Sequence, residues 1–265
     1  MSFFTDKVVW ITGASSGIGE ALVYALSEKK ARLIISARRI EELQRVKDNC
    51  KFSSHNIVLL PLDLSKVEEL SAKANEAIAV FGKIDFLFNN GGISQRALAG
   101  ETPMELDRKI MEVNYFSHIA ITKTLLPFMV KQGRGNIIVT SSVNGQCALP
   151  LRSAYAASKH ALHGFFEALR EEHYKDNIKV LMVLPGFIKT NLSLNAITKD
   201  GNAFNQMGHG QQKGLQAIDF AHKLLVAIEK DKKEVYIGGK DILILYIKRF
   251  LPALYYKIIR KVKTV

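Results

Sequence analysis

Residues 8–19 read VVWITGASSGIG, five largely apolar, β-branched residues followed by small ones that include Gly13, Gly17 and Gly19. An apolar run of this length bounded by glycine is a strand buried on both faces, and the EALVYAL that comes next opens a helix. Glycines at a strand-to-helix turn let the chain bend sharply and approach a ligand closely, while the N–H groups of the helix's first turn point at an anion. The spacing Gly-x-x-x-Gly-x-Gly differs from the commonest dinucleotide fingerprint, Gly-x-Gly-x-x-Gly, but the physics of the turn is shared. Gly13, Ser15, Ser16, Gly17, Ile18 and Gly19 are therefore candidate contacts for a dinucleotide's phosphates.

The same alternation runs along the chain. Further apolar runs lie at 32–36 (RLIIS), 57–63 (IVLLPLD), 84–89 (IDFLFN), 136–141 (NIIVTS), 179–184 (KVLMVL) and 235–238 (VYIG). Helical patterns fall between them, near 18–29, 40–49, 66–81, 103–131, 152–174 and 218–230. Strands alternating with helices imply right-handed crossovers and a doubly wound, Rossmann-like α/β fold, a seven-stranded parallel sheet with helices on both faces. No linker or repeat divides the chain, so residues 1–240 read as one dinucleotide-binding and catalytic domain. Residues 191–217, rich in Asn, Gly and Gln, are far longer than an ordinary connection and are a candidate substrate loop.

The residue at the end of the second strand discriminates between cofactors. An NAD site places a carboxylate there for the ribose hydroxyls; this chain has Ala37, Arg38 and Arg39. A guanidinium makes a fork to a 2′-phosphate, so Arg38 favours NADP(H) over NAD.

Tyr155 and Lys159, in SAYAASKHAL (153–162), are four apart and lie one above the other on a helix. A phenol ordinarily ionises near pH 10 and serves as a neutral-pH acid–base only if a nearby cation favours the phenolate. Lys159 is placed to be that cation. Ser142 closes the fifth strand thirteen positions before Tyr155, where a hydroxyl can hold a carbonyl oxygen.

With these residues in view the sequence resembles the short-chain dehydrogenases/reductases in their single-domain form. The resemblance is carried by TGASSGIG (12–19), NNGG (89–92), VNYFS (113–117), SSVNG (141–145), YAASK (155–159) and PGFIKT (185–190), in family order and spacing. It implies that Tyr155 is the general acid/base, that Lys159 lowers its pKa and holds the nicotinamide ribose, that Ser142 orients the substrate carbonyl and that Asn114 anchors a water relay. It places Asn90, Asp63, Leu64, Pro185 and Gly186 at the cofactor, Asp63 and Leu64 beside the adenine, with Ile188 and Thr190 touching the carboxamide. One departure is Gly91, where the family usually has Ala. The activity implied is NADP(H)-dependent interconversion of a carbonyl and an alcohol, in the direction of reduction, and family members commonly form homodimers or homotetramers through their long helices.

Composition limits the other classes. The chain has 265 residues, a formal net charge of +12 and two cysteines, Cys50 and Cys147. Two cysteines give neither a disulfide framework nor metal-ligand spacing, which fits a reducing, cytoplasmic setting, and the N-terminus has no secretory pattern. The basic excess concentrates in 241–265, with six basic residues against the single Asp241. No aromatic stacking platform or recognised module accompanies it, which argues against nucleic acid. ILILYI is too short to span a bilayer. The mixture of large apolar and basic residues makes this amphipathic tail a candidate for an anionic membrane surface, or for packing on the domain or a second subunit. A tail of this kind beside a long loop suggests a hydrophobic, steroid-like or lipid-like ketone or aldehyde. The alternative reading is a non-catalytic NADP(H)-binding sensor or scaffold.

Overall fold

The computed structural model describes residues 2–52 and 54–262, so Lys263 of the tail lies outside the described residues. Its seven principal strands are β1 (Val8–Thr12), β2 (Arg32–Ser36), β3 (Ile57–Leu59), β4 (Phe86–Asn89), β5 (Gly135–Thr140), β6 (Ile178–Pro185) and β7 (Glu234–Ile237). They form one sheet in the order β7-β6-β5-β4-β1-β2-β3, with every neighbouring pair parallel. The principal helices are α1 (Gly17–Glu28), α2 (Ile40–Asp48), α3 (Leu70–Phe81), α4 (Met104–Met111), α5 (Ser117–Lys131), α6 (Ser153–Glu172), α7 (Ala217–Glu229), α8 (Leu243–Phe250) and α9 (Pro252–Ile259).

A parallel sheet needs helices on both faces because its connections cross over. β1 displays the consequence, since all five of its residues are buried. Val9 and Ile11 join the core under α1, α2 and α7, whereas Val8 and Trp10 join the core under α3, α5 and α6. The strand order reverses between β1 and β4, which places a crevice at the C-terminal ends of these two strands.

Three elements differ from the sequence expectation. The third strand runs only to Leu59, although Leu60 and Leu62 still donate to the carbonyls of Ile35 and Ala37, at 3.0 and 3.1 Å; Pro61 between them falls where its missing N–H would face the open edge of the sheet. The helix expected over 103–131 is broken by a π-helical turn at Glu112–Phe116. The segment 191–217 is organised: Ile197–Thr198 pairs with Gln95–Arg96 and Leu215–Gln216 with Ile188–Lys189.

The tail folds as α8 and α9, with Pro252 at the first position of the second helix, where its missing N–H costs nothing. Leu245 and Tyr255 are buried against Cys147. No helix among the described residues is long and apolar enough to cross a membrane.

Phe166, fully buried on α6 between the helix and the sheet, tests the packing. Phe166→Ala is expected to cost about 3–5 kcal/mol, seen as a lower denaturant midpoint at unchanged slope and followed by the fluorescence of the single tryptophan, Trp10.

Candidate active site

The glycine turn after β1 lies against the backbone of the turn after β4. Gly13 has φ +67°, and a Cβ there would stand 2.6 Å from the Cα of Gly91. The Thr12 hydroxyl ties the two turns by accepting from the N–H groups of Asn90 (3.1 Å) and Gly91 (3.2 Å) while donating to the Phe88 carbonyl (3.1 Å). The Asn90 amide donates back to the Thr12 carbonyl at 3.2 Å. Gly91 leaves out a methyl group whose space the Leu64 side chain fills. The replacement of the usual Ala therefore admits Leu64 and does not leave a gap.

A dinucleotide fits this turn. Ser16 is the N-cap of α1, exposed and with an extended backbone, and its hydroxyl caps no N–H of the helix, so the first-turn donors are available to a phosphate. Ile18 is half-buried and Gly19 buried behind it, and the Ser15 carbonyl is held by Arg45 at 3.1 Å. Arg38 is exposed just beyond β2. Asp63 is close enough to feel it: partial burial pushes that carboxyl up, but two hydrogen bonds from Ser65 and the charges of Arg38 and Lys66 carry it below the ordinary value. On the other side of the crevice Pro185 ends β6, the Gly186 N–H donates to Ile237 at 3.0 Å, and Thr190 packs against Gly17. The Ile188 side chain belongs to the core under α1, so any part it plays at a cofactor runs through its main chain.

The catalytic candidates converge beyond the ends of β4 and β5. Gln95 positions α6: its Oε1 accepts from the N–H groups of Ala154 (2.9 Å) and Tyr155 (3.4 Å), satisfying orphan donors of the helix's first turn. Ser142, buried, accepts from Asn144 N–H at 3.1 Å and offers a hydrogen bond to Tyr155. The Lys159 ammonium donates to the Thr140 carbonyl at 2.7 Å and lies 5.9 Å from the centre of the Tyr155 ring. Asn114, fully buried in the π-helical turn, accepts from Ile93 N–H (2.8 Å) and donates to Ile93 O (3.0 Å) and Ser158 Oγ (3.1 Å). Short π segments often sit at functional sites, and this one turns Asn114 toward the segment that leaves β4.

The electrostatics differ from the sequence expectation. Burial raises the Tyr155 pKa above its ordinary value; the Ser142 hydrogen bond and the charges of Arg152 and Arg96 pull against that rise without cancelling it. Lys159 is not among the cations acting on the phenol, because burial pushes the lysine itself down to about 7. In the cofactor-free protein the phenol is therefore a protonated acid. His118, one turn after Asn114, is held neutral by burial and the Lys159 charge, with its pKa lowered to about 3, and its Nε2 meets the Gly91 carbonyl at 2.9 Å.

Sequence reasoning missed Thr12, Gln95, Arg96, His118, Thr140 and Arg152. His118 and Arg152 had a usable signal, lying one helical turn from Asn114 and Tyr155; Arg96 and Gln95 sat in what read as a plain loop.

The profile of the short chain dehydrogenase family matches residues 7–200. A fruit-fly (Drosophila melanogaster) protein named dehydrogenase/reductase SDR family protein 7-like is 41% identical over 260 residues, covering 96% of this chain and 80% of its own length. Two solved structures share the fold. A Burkholderia phymatum short-chain dehydrogenase/reductase in complex with NAD superposes with a TM-score of 0.81 at 22% identity, over 100% of this chain and 99% of that one. An alcohol dehydrogenase of Thermococcus sibiricus complexed with 5-hydroxy-NADP gives 0.74 at 23% identity, over 88% and 96%.

The depressed lysine has a linkage consequence. The folded, cofactor-free chain gives up the Lys159 proton near pH 7, whereas the unfolded chain keeps it to about pH 10. The penalty is full below the folded value and fades as pH rises through that interval. Unfolding titrations are expected to give a wild type that gains stability from about pH 7 to about pH 10 relative to Lys159→Met; parallel curves would show that Lys159 is not desolvated.

Proposed function

The chain belongs to the short-chain dehydrogenase/reductase family and is an oxidoreductase, and from that premise we propose that it uses NADP(H) to interconvert a carbonyl and an alcohol, reducing a hydrophobic ketone or aldehyde. The observation that carries this reading is the convergence of Ser142, Tyr155 and Lys159 at one buried place, beside a glycine turn able to take a dinucleotide. Gly13 to Gly19 would hold the pyrophosphate at the N-terminus of α1, Asp63 and Leu64 would border the adenine, and Asn90 would stand beside the nicotinamide half. Arg38 is the candidate for the 2′-phosphate. The residues that follow β2 are Ala37, Arg38 and Arg39, with no carboxylate among them, and Glu42 of α2 pairs with Arg45 at 2.9 Å.

NADPH supplies the hydride when bound. The protein's task is then to supply one proton at the substrate oxygen. Ser142 holds that oxygen and Tyr155, protonated at neutral pH, gives the proton. Lys159 is fixed by the Thr140 carbonyl where its charge can hold a ribose and its proton can replace the one Tyr155 loses. Asn114 keeps the 93 segment in place and anchors the water relay that would recharge Lys159.

Assembly and location belong to the same reading. Met104 and Phe116, both exposed, line a groove with Ala154 and Ala157, on the helices through which a homodimer or homotetramer would form. The tail docks on the body through Leu245 and Tyr255, but Phe250, Leu251, Leu254 and Tyr256 stay exposed beside Arg249, Lys257 and Arg260. An apolar face edged with cations suits peripheral attachment to an anionic cytoplasmic membrane surface.

Purified protein should consume NADPH in preference to NADH with carbonyls graded from small aldehydes to steroids and long-chain ketones, and faster toward the large apolar end. Tyr155→Phe should lose about 10²–10⁴-fold of the rate, and Arg38→Glu should reverse the NADPH preference. Bound NADPH with no turnover by any carbonyl would turn the reading toward a non-catalytic cofactor-binding module. In sedimentation with vesicles, binding should require anionic lipid, weaken with salt and fall in the Phe250→Ser/Leu254→Ser double variant; binding independent of these residues would remove the tail from the proposal.

A further inference from the structure

Two buried guanidinium groups stand beside Tyr155, and the proton transfer described above uses neither. Arg96 is 6% exposed and Arg152 8%. Arg96 ends the short strand that pairs with Ile197–Thr198 of the long 191–217 segment. Arg152 is the N-cap of α6, three residues before Tyr155, and a bridge between Ala97 and Arg152 brings the two segments together. Each arginine is close enough to Tyr155 to interact with its charge, and the two repel one another.

Among the described residues neither arginine forms an ion pair. Arg96 spends one N–H on the carbonyl of its own neighbour, Gln95, at 2.9 Å, and its guanidinium lies 5.7 Å from the centre of the Phe204 ring. The Arg152 guanidinium donates to no described residue, and the Nε of both side chains is buried without a partner. Burying one unpaired cation is costly and burying two against each other more so. Burial and the neighbouring Arg152 press Arg96 down to about 10, still charged at neutral pH. Among the described residues no carboxylate stands close enough to balance them. Their planar, multi-donor heads match a carboxylate or phosphate in geometry.

We propose that Arg96 and Arg152 form an anion subsite, and that the substrate carries a carboxylate or phosphate monoester that these two side chains bind while its carbonyl lies at Tyr155 and Ser142. This rests on the oxidoreductase reading and deepens it. The anion enters beneath the 191–217 segment: Gly208 lies next to the Arg96 head, and Phe204 stacks over it. The substrate is then amphipathic, with its charged end held inside beside the reacting oxygen and its apolar part left for the loop and the surface beyond. Binding also bears on the acid, because neutralising the two cations removes charges that oppose protonation of the phenol, which keeps Tyr155 in the protonated form it already has at neutral pH.

Matched pairs test it: a keto acid against its methyl ester, and a hydroxyketone phosphate against the free hydroxyketone, each with full-length enzyme and NADPH. At least one anionic member should show kcat/KM about tenfold or more above its neutral partner, through KM; which pair does so separates carboxylate from phosphate. Arg152→Met and Arg96→Met should each erase that preference, Arg152→Lys should restore part of it, NADPH affinity should stay within the wild-type range, and the melting temperature should not fall, since each substitution removes a buried unpaired charge. Neutral members turned over as well as anionic ones, with the variants slowing both alike, would overturn the subsite and leave the arginines acting on Tyr155 alone. A second readout does not need turnover. Calorimetric titration of the NADP⁺-loaded chain with inorganic phosphate and with acetate should show binding to wild type that is lost in the Arg96→Met/Arg152→Met double variant. Binding unchanged in that variant, or absent from the wild type, counts against the proposal even if no carbonyl is ever reduced, whereas loss of turnover with retained anion binding counts against the oxidoreductase reading instead.

Discussion

Two backbones touch at the centre of this molecule, and the site is arranged around their contact. The turn after β1 and the turn after β4 come so close that Gly13 has no room for a side chain, and the space a side chain at Gly91 would need is filled by Leu64. Thr12 and Asn90 fasten them by hydrogen bonds in both directions. His118 holds the Gly91 carbonyl from α5, and Asn114 holds the next residues from the π-helical turn. The contact falls where the strand order reverses, so the glycine turn lies to one side and Ser142, Tyr155 and Lys159 to the other, at a separation the sheet itself sets. A shift of either turn would move both halves of the site.

The charged groups in the catalytic half are nearly all cations or neutral acids. Lys159, Arg96 and Arg152 are buried around a phenol, and no carboxylate ion-pairs with any of them among the described residues. In a low-dielectric region such a set is held only by backbone carbonyls and by whatever anion arrives. That is why Lys159 sits on the Thr140 carbonyl, and why burial draws the Lys159 and Arg96 pKa values toward neutrality.

The architecture was legible from β1 and its glycine turn because a doubly buried strand and a phosphate turn are both local patterns. The other six strands and most helices followed from the same alternation, with ends moved by a residue or two except in the third strand, which ends four residues earlier than its apolar run. What escaped was set by tertiary contacts that leave no periodic trace. The π-helical turn depends on the Asn114 side chain reaching the Ile93 backbone, 21 positions away. The order in 191–217 depends on strand pairing with Gln95–Arg96, about 100 positions upstream. Tyr155 and Lys159 were read correctly as neighbours, but spacing alone could not tell which cations bear on the phenol, since desolvation of Lys159 is a property of the packed interior.

The tail completes this logic, since it is part of the support for the site. Asp241 accepts from the N–H groups of Phe187 (2.7 Å) and Gly239 (2.8 Å), fixing the segment that follows β6. α8 and α9 then close on the loop that continues from Ser142: Leu245 and Tyr255 bury Cys147, the Tyr255 hydroxyl donates to the Ala148 carbonyl at 3.3 Å, and Lys248 donates to the Gln146 carbonyl. Ser142 is held from within by Asn144 and from behind by these two helices, whose outer face is apolar and basic. Anything that binds that outer face presses on helices in direct contact with the loop carrying the serine. The outer face of the tail and the Ser142 hydroxyl are thus two ends of one short stack of packed side chains.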